Sequence, residues 1–169
     1  MRTPFFLPLL LATLCLSACS LHARDMNQTT RYLRTLQLAI EPDNAQLRAQ
    51  LSQLLVHHGV QVAKPAPYTL RIDHIRFEAP VPSITTTALL ISVTYRLSMR
   101  MTLEGPQGEV CLPARVLSAT YTVSHSSHQA YTLETAQRVR THLRERLITQ
   151  VLDALSSQAL ATRLAHAAQ

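Results

Sequence analysis

Residues 91 to 103 constrain the fold more than any other part of the chain. Ile91, Val93, Tyr95, Leu97, Met99, Met101 and Leu103 take every second position, and Ser92, Thr94, Arg96, Ser98, Arg100 and Thr102 lie between them. Side chains of a β-strand alternate between two faces, so this segment predicts one long strand with an apolar face and a polar, basic face. Such a strand belongs to a sheet that is covered on one side and wet on the other. Gly105-Pro106-Gln107-Gly108 supplies a hairpin turn. Val110, Leu112 and Val116, then Ala119, Tyr121 and Val123, form the return strand with a slip in parity. Ser124 to Gln129 reads as a polar loop.

The segments before and after complete the layer. Tyr32 to Ile40 alternates, with Tyr32, Leu36, Leu38 and Ile40 on one face. Glu41-Pro42-Asp43-Asn44 breaks that strand and offers a helix N-cap at Asp43 or Asn44. Leu47, Leu51, Leu54, Leu55 and His58 then fall on one helical face. Gly59 stands where the left-handed residue after a helix belongs. Val60 and Val62 begin an extended segment that turns at Lys64-Pro65-Ala66-Pro67. Tyr68, Leu70 and Ile72 alternate, and Ile75 and Phe77 continue on the opposite parity, which predicts a bulge near Asp73-His74. Ala79-Pro80-Val81-Pro82 ends this strand, because proline cannot donate to a ladder. From Leu133, an apolar stripe through Val139, Leu143, Leu147, Val151 and Leu155 predicts a closing helix. At ~1.5 Å per residue, its roughly 27 residues would reach ~40 Å. The expected fold class is α+β: a four-stranded, mostly antiparallel sheet with two helices packed on one face, in the order β-α-β-β-β-α.

The N-terminus is a targeting segment. Arg2 is the charged start, and Phe5 to Leu16 is mostly apolar but shorter than the roughly 20 residues that span a bilayer. Leu16-Ser17-Ala18-Cys19 matches the bacterial lipobox, in which the cysteine is acylated and the peptide is cut before it. Ser20 in the next position is compatible with the outer membrane. The expected organisation is a lipoprotein signal peptide over 1–18, a lipidated tether over 19–31, a single α+β domain over 32–160 and a frayed tail over 161–169. Removing the signal takes away Arg2 alone among the charged side chains, which lowers the net charge from +6 to +5. Acyl chains contribute about 0.8 kcal/mol per buried CH2, so several of them anchor a protein without a transmembrane helix. Cys111 is then a lone thiol in a strand pattern, expected to be a small buried hydrophobe.

Catalytic and metal chemistry find little support. His57 and His58 are adjacent and point about 100° apart on a helix, and His125 and His128 have no third ligand nearby in sequence. The chain has no Gly-x-Ser-x-Gly elbow and no glycine-rich phosphate loop. No catalytic residue, metal, cofactor or nucleic-acid partner is therefore expected. Arg96 and Arg100 project from one strand face, where Arg76 and Arg115 from neighbouring strands are expected to join them. Guanidinium forks hold phosphate or carboxylate in a bidentate manner. The arginines of 138–146 read as a solvated helix face.

Cys19-Ser20-Leu21-His22-Ala23-Arg24-Asp25 resembles the Cys-Gly-(aromatic)-His-Leu-Arg that opens mature members of the LPS-assembly lipoprotein family (LptE), with Ser20 for the glycine and Leu21 for the aromatic. The order of strand, helix and Gly59-Val60, the long strand through Tyr95 and the closing helix are similar as well, so the resemblance covers nearly all of residues 19–169. It implies two helices on a four-stranded sheet, and a lipid-anchored protein at the periplasmic face of the outer membrane. It also implies that the protein plugs and helps to fold the LptD β-barrel, and with it inserts lipopolysaccharide into the outer leaflet, binding that lipid. Pro82–Thr87 and Ser124–Thr132 hold no Arg or Lys, so the basic residues tied to lipid contact in relatives have no counterpart there. Arg76, Arg96 and Arg100 are the expected lipopolysaccharide contacts instead. The alternative is a free-standing periplasmic lipid-binding lipoprotein, which needs an apolar cavity.

If Cys19 carries the acyl chains, Cys19→Ala abolishes incorporation of labelled palmitate into the protein in growing cells. Retention of the label would place acylation elsewhere.

Overall fold

The computed structural model describes residues 30–79, 83–84, 90–126 and 133–167. The signal segment, Cys19 and most of the expected tether lie outside the described residues. The elements run β1 (Thr35–Ile40), α1 (Ala45–His57), β2 (Gln61–Val62), β3 (Tyr68–Glu78), β4 (Ser83–Ile84), β5 (Leu90–Glu104), β6 (Val110–Ser126), α2 (Leu133–Leu155) and α3 (Gln158–Ala167).

In β5, Val93, Tyr95, Leu97, Met99, Met101 and Leu103 are all buried, as the alternation predicts. β3 and β4 lie one after the other along one edge of β5, and β6 pairs with the other edge; all three pairings are antiparallel. β1 runs parallel to β3, and β2 runs parallel to β1 on its outer side. The sheet is thus mixed and five strands wide, in the order β2-β1-β3-β5-β6. The four principal strands are those expected; β2 and β4 are two-residue additions. The parallel pairing of β1 and β3 follows from α1, because a parallel neighbour needs a crossover connection.

α1 begins and ends where local chemistry dictates. The Asn44 Oδ1 accepts the Leu47 N–H at 3.0 Å, which satisfies one of the orphan donors of the first turn. At the other end Gly59 has φ +82°, and the Gly59 and Val60 N–H groups donate to the Val56 and Leu55 carbonyls, both at 2.9 Å. That pair of bonds is a Schellman closure, and the left-handed residue it requires carries no Cβ penalty as glycine. Leu47, Leu51 and Leu55 face the sheet and are buried.

The core fills the space between the apolar sheet face and the helices. Val139, Leu143, Leu147, Ile148, Val151 and Leu155 of α2 line it. The bulge expected in β3 is present: the register with β5 shifts between Asp73 and Arg76, and His74 takes φ +52°. The shift lets Leu70 and Ile72 before it, and Ile75 and Phe77 after it, all pack against the core. Among the described residues, no helix is long and apolar enough to cross a membrane.

Four expectations need correction. Tyr32 does not extend β1; it lies in a turn and is exposed, while Leu33 is buried. Ser124, His125 and Ser126 belong to β6 rather than to a loop, because β5 continues to Leu90 and pairs with them. The closing helix is broken at Ser156-Ser157. The Ser156 Oγ donates to the Asp153 carbonyl at 3.1 Å, and the Ser157 carbonyl accepts the Leu160 N–H at 3.0 Å, starting a new helix. Residues 161–167, expected to fray, belong to α3, which buries Leu160, Ala161 and Leu164.

Side chains from α2 and α3 fasten the outer edge of β6. Gln150 and Arg146 donate to the Ser118 and Thr120 carbonyls at 3.1 and 3.2 Å, and Arg163 donates to the Cys111 carbonyl at 3.4 Å.

Because α3 is part of the core, Leu164→Ala should destabilise the fold by about 2–5 kcal/mol. Urea denaturation measures this. A loss within ~0.5 kcal/mol would be that of a solvated surface position.

Candidate functional site

The polar face of the sheet is built from the alternate positions of β3, β5 and β6. Register places Asp73 opposite Arg100, Arg76 opposite Ser98 and Glu78 opposite Arg96. On the other side of β5, Val116, Ser118, Thr120 and Thr122 stand opposite Arg100, Ser98, Arg96 and Thr94. Thr94 and Thr122 share a hydroxyl hydrogen bond at 2.9 Å.

Arg100 is not a free fork. Its Nε and Nη2 donate to Asp73 Oδ1 at 2.7 Å and Oδ2 at 3.0 Å. The His74 Nδ1 lies 2.7 Å from the same Oδ1. The bond from Arg100 is the main cause that holds the Asp73 carboxyl below its ordinary pKa, with His74 adding to it and partial burial opposing it. The same bond raises the pKa of Arg100. Nearby, the Arg71 Nε donates to Glu104 Oε1 at 3.3 Å, and its Nη1 stands 3.6 Å from Glu41. The Glu104 bond is the largest cause of the raised pKa of Arg71.

The three arginines singled out from sequence therefore share a face but not a state. Arg76 and Arg96 are exposed and make no ion pair among the described residues, whereas Arg100 is chelated by Asp73. Arg115 does not join them: it pairs opposite Met101, in the apolar row of β5. Asp73 was missed because its partner is 27 residues away and reaches it only through the β3–β5 register. The parity switch at Asp73-His74 was the available signal, since a bulge re-aims the residues that flank it.

The arginines of α2 also depart from expectation. Arg146 clasps the β6 edge, the Arg140 guanidinium lies 4.5 Å from the centroid of the Phe77 ring, and Arg144 is partly enclosed. The spacing of four between Arg140 and Arg144 was the signal that these two share one side. Cys111 is buried, and burial, aided by the negative charge of Glu109, pushes its thiol pKa up, which disfavours the reactive thiolate. His57 and His58 pack edge to face with ring centroids 5.5 Å apart. Among the described residues no three metal-ligating side chains come together.

No family model and no curated protein matches the chain. Solved structures do match its fold, at low identity. A minor lipoprotein from Acinetobacter baumannii is 22% identical, over 78% of this chain and 93% of that one, with a TM-score of 0.54. The rare lipoprotein B of Shewanella oneidensis is 16% identical over 80% of this chain and 99% of its own, with a TM-score of 0.50. A neuraminyllactose-binding haemagglutinin homologue from Helicobacter pylori is 10% identical over 79% and 91%, with a TM-score of 0.56. The chain thus has a fold found in bacterial lipoproteins, rare lipoprotein B among them, and none of these three descriptions names an enzyme.

The lowered pKa of Asp73 has a definite sign. A carboxyl depressed on folding adds stability above its unfolded pKa of ~3.9, and that stability is lost as pH falls through the folded value. Asp73→Asn should therefore be less stable than the natural chain at neutral pH, with the gap closing in acid. Urea midpoints across the acid range test this; a gap that stays constant would remove the pair from the acid response.

Proposed function

We propose that this chain is a non-enzymatic outer-membrane lipoprotein, held at the periplasmic face by acyl chains on Cys19. In this reading it plugs and helps to assemble the LptD β-barrel and, with it, inserts lipopolysaccharide into the outer leaflet. The observation that carries the reading is the fold it shares with rare lipoprotein B over 99% of that protein, joined to the lipobox at Leu16–Cys19.

The physics of the sheet supports it. A wide barrel encloses a polar, water-filled lumen. The uncovered face of β3, β5 and β6 presents hydroxyls, paired charges and the exposed heads of Arg76 and Arg96, all of which can exchange water for polar wall groups. The helices cover the apolar face on the other side, so the domain fills a polar space without unfolding. Lipopolysaccharide carries phosphates, and a +5 chain whose basic residues are arginines, save Lys64, attracts them. Arg76 and Arg96 are the contacts in immediate reach, and Arg100 would reach a phosphate only by exchanging it for Asp73.

A free-standing lipid-binding lipoprotein is the second reading, and one observation favours it: a cavity of ≈ 290 Å³ in the seam between helices and sheet.

Co-purification decides between the two. From detergent-solubilised outer membrane, the plug retains a large β-barrel as its main partner, and its depletion leaves that barrel misassembled and surface lipopolysaccharide reduced. Normal barrel assembly after depletion would sink the plug reading. Arg76→Glu with Arg96→Glu should weaken lipopolysaccharide binding, most visibly at low salt where screening is weakest.

A further inference from the structure

The seam cavity is bounded by Leu47 of α1, Ile75 and Phe77 of β3, Leu97 and Met99 of β5, and Leu147 of α2. Asn44, Arg140 and Arg144 complete its lining. Its walls are hydrocarbon and an aromatic ring, and its charged groups are two arginines one helical turn apart. The Arg144 Nη1 is buried and has no hydrogen-bond partner. A buried donor left unpaired is costly and is rare in folded proteins. Burial and the like charge of Arg140 both pull the Arg144 pKa down, and the opposing pull of Glu145 is weaker. Glu145 is exposed and lines a different groove, between α1 and α2. The first turn of α1, which also borders the cavity, contains no acidic residue, and Asp43 before the cap is paired with Arg48.

We propose that this cavity binds a single-chain alkyl phosphate, with the phosphate held by Arg144 and Arg140 and the hydrocarbon chain lying against Leu97, Met99 and Leu147. Each element of the site asks for part of that ligand. Two adjacent guanidinium groups match a dianion better than a monoanionic carboxylate, and a phosphate oxygen satisfies the orphan Nη1. A bare inorganic ion would leave the apolar walls without a partner, which favours a ligand that also carries a hydrocarbon chain. At ≈ 290 Å³ the cavity stands at the lower end of the range for small-molecule sites, so it takes one chain and not a whole multi-acyl lipid. The site rests neither on the barrel partner nor on Arg76 and Arg96, and it can hold or fail separately from the plug.

The test uses the full lipidated chain in non-ionic detergent, with decyl phosphate carrying a diazirine at the chain end as the probe. Photolysis followed by peptide mass spectrometry should place the label on residues of the seam, and unlabelled decyl phosphate should compete it away. Arg144→Met should cut labelling on the order of tenfold, as expected when a charged hydrogen-bond partner is lost. The same substitution removes a buried unpaired donor, so the melting temperature without ligand should hold or rise, which separates loss of binding from loss of fold. Arg140→Met, at an exposed position, provides an independent variant with the same expected direction. Label confined to the outer surface would overturn the proposal. So would competition by decanol or by inorganic phosphate as strong as that by decyl phosphate, or full labelling of both variants.

Discussion

Everything in this fold depends on β5 being dry on one face and wet on the other. Six of its side chains, from Val93 to Leu103, are buried, and burying a Val, Leu or Met contributes about 1.5–3 kcal/mol relative to leaving it in water. That face must be roofed, and α1 and α2 are the roof. The other face must stay solvated or meet a polar partner, since Arg96, Arg100 and their neighbours cannot be buried unpaired. A one-residue slip in the pairing of β5 would exchange the two faces, so the register is fixed by the same alternation that defines the strand. The bulge at His74 shows how strict this is. β3 takes a left-handed non-glycine residue so that its apolar side chains stay on the covered side both before and after the break.

Much of this was legible in residue order. The two faces of β5, the parity switch in β3, the Asn44 cap and the glycine closure of α1 are local patterns with local causes. What escaped was non-local or lacked a strong breaker. The Asp73–Arg100 pair exists only once β3 and β5 are in register. The break between α2 and α3 rests on two serines, which end a helix through backbone-competing hydrogen bonds and which no glycine or proline announces. Part of the candidate site was visible in the sequence, namely that Arg96 and Arg100 share a face. That one of them is held by a carboxylate was not. Arg140 and Arg144 fall off the apolar stripe of α2 and so read as solvated. A helix lying on a sheet has flanks as well as a buried face and an exposed face, however, and these two arginines occupy a flank above a gap in the packing.

The arginines as a group show why net charge is a poor guide to binding. Arg71 and Arg100 are committed to carboxylates, Arg146 and Arg163 to backbone carbonyls, and Arg140 to an aromatic ring. Guanidinium serves each of these roles better than an ammonium would, because it is planar, multidentate and weakly hydrated. The scarcity of lysine in the chain thus has a structural counterpart in how many of its cations are used as cross-links.

The fastened edge of β6 has a consequence for how copies of this protein meet. An edge strand with open carbonyls is a template on which a second chain can add a strand, and this is the route to edge-to-edge aggregation. At Cys111, Ser118 and Thr120 that template is already occupied by Arg163, Gln150 and Arg146. A second copy approaching this side would meet carbonyls that are already engaged at these points, which disfavours strand addition there.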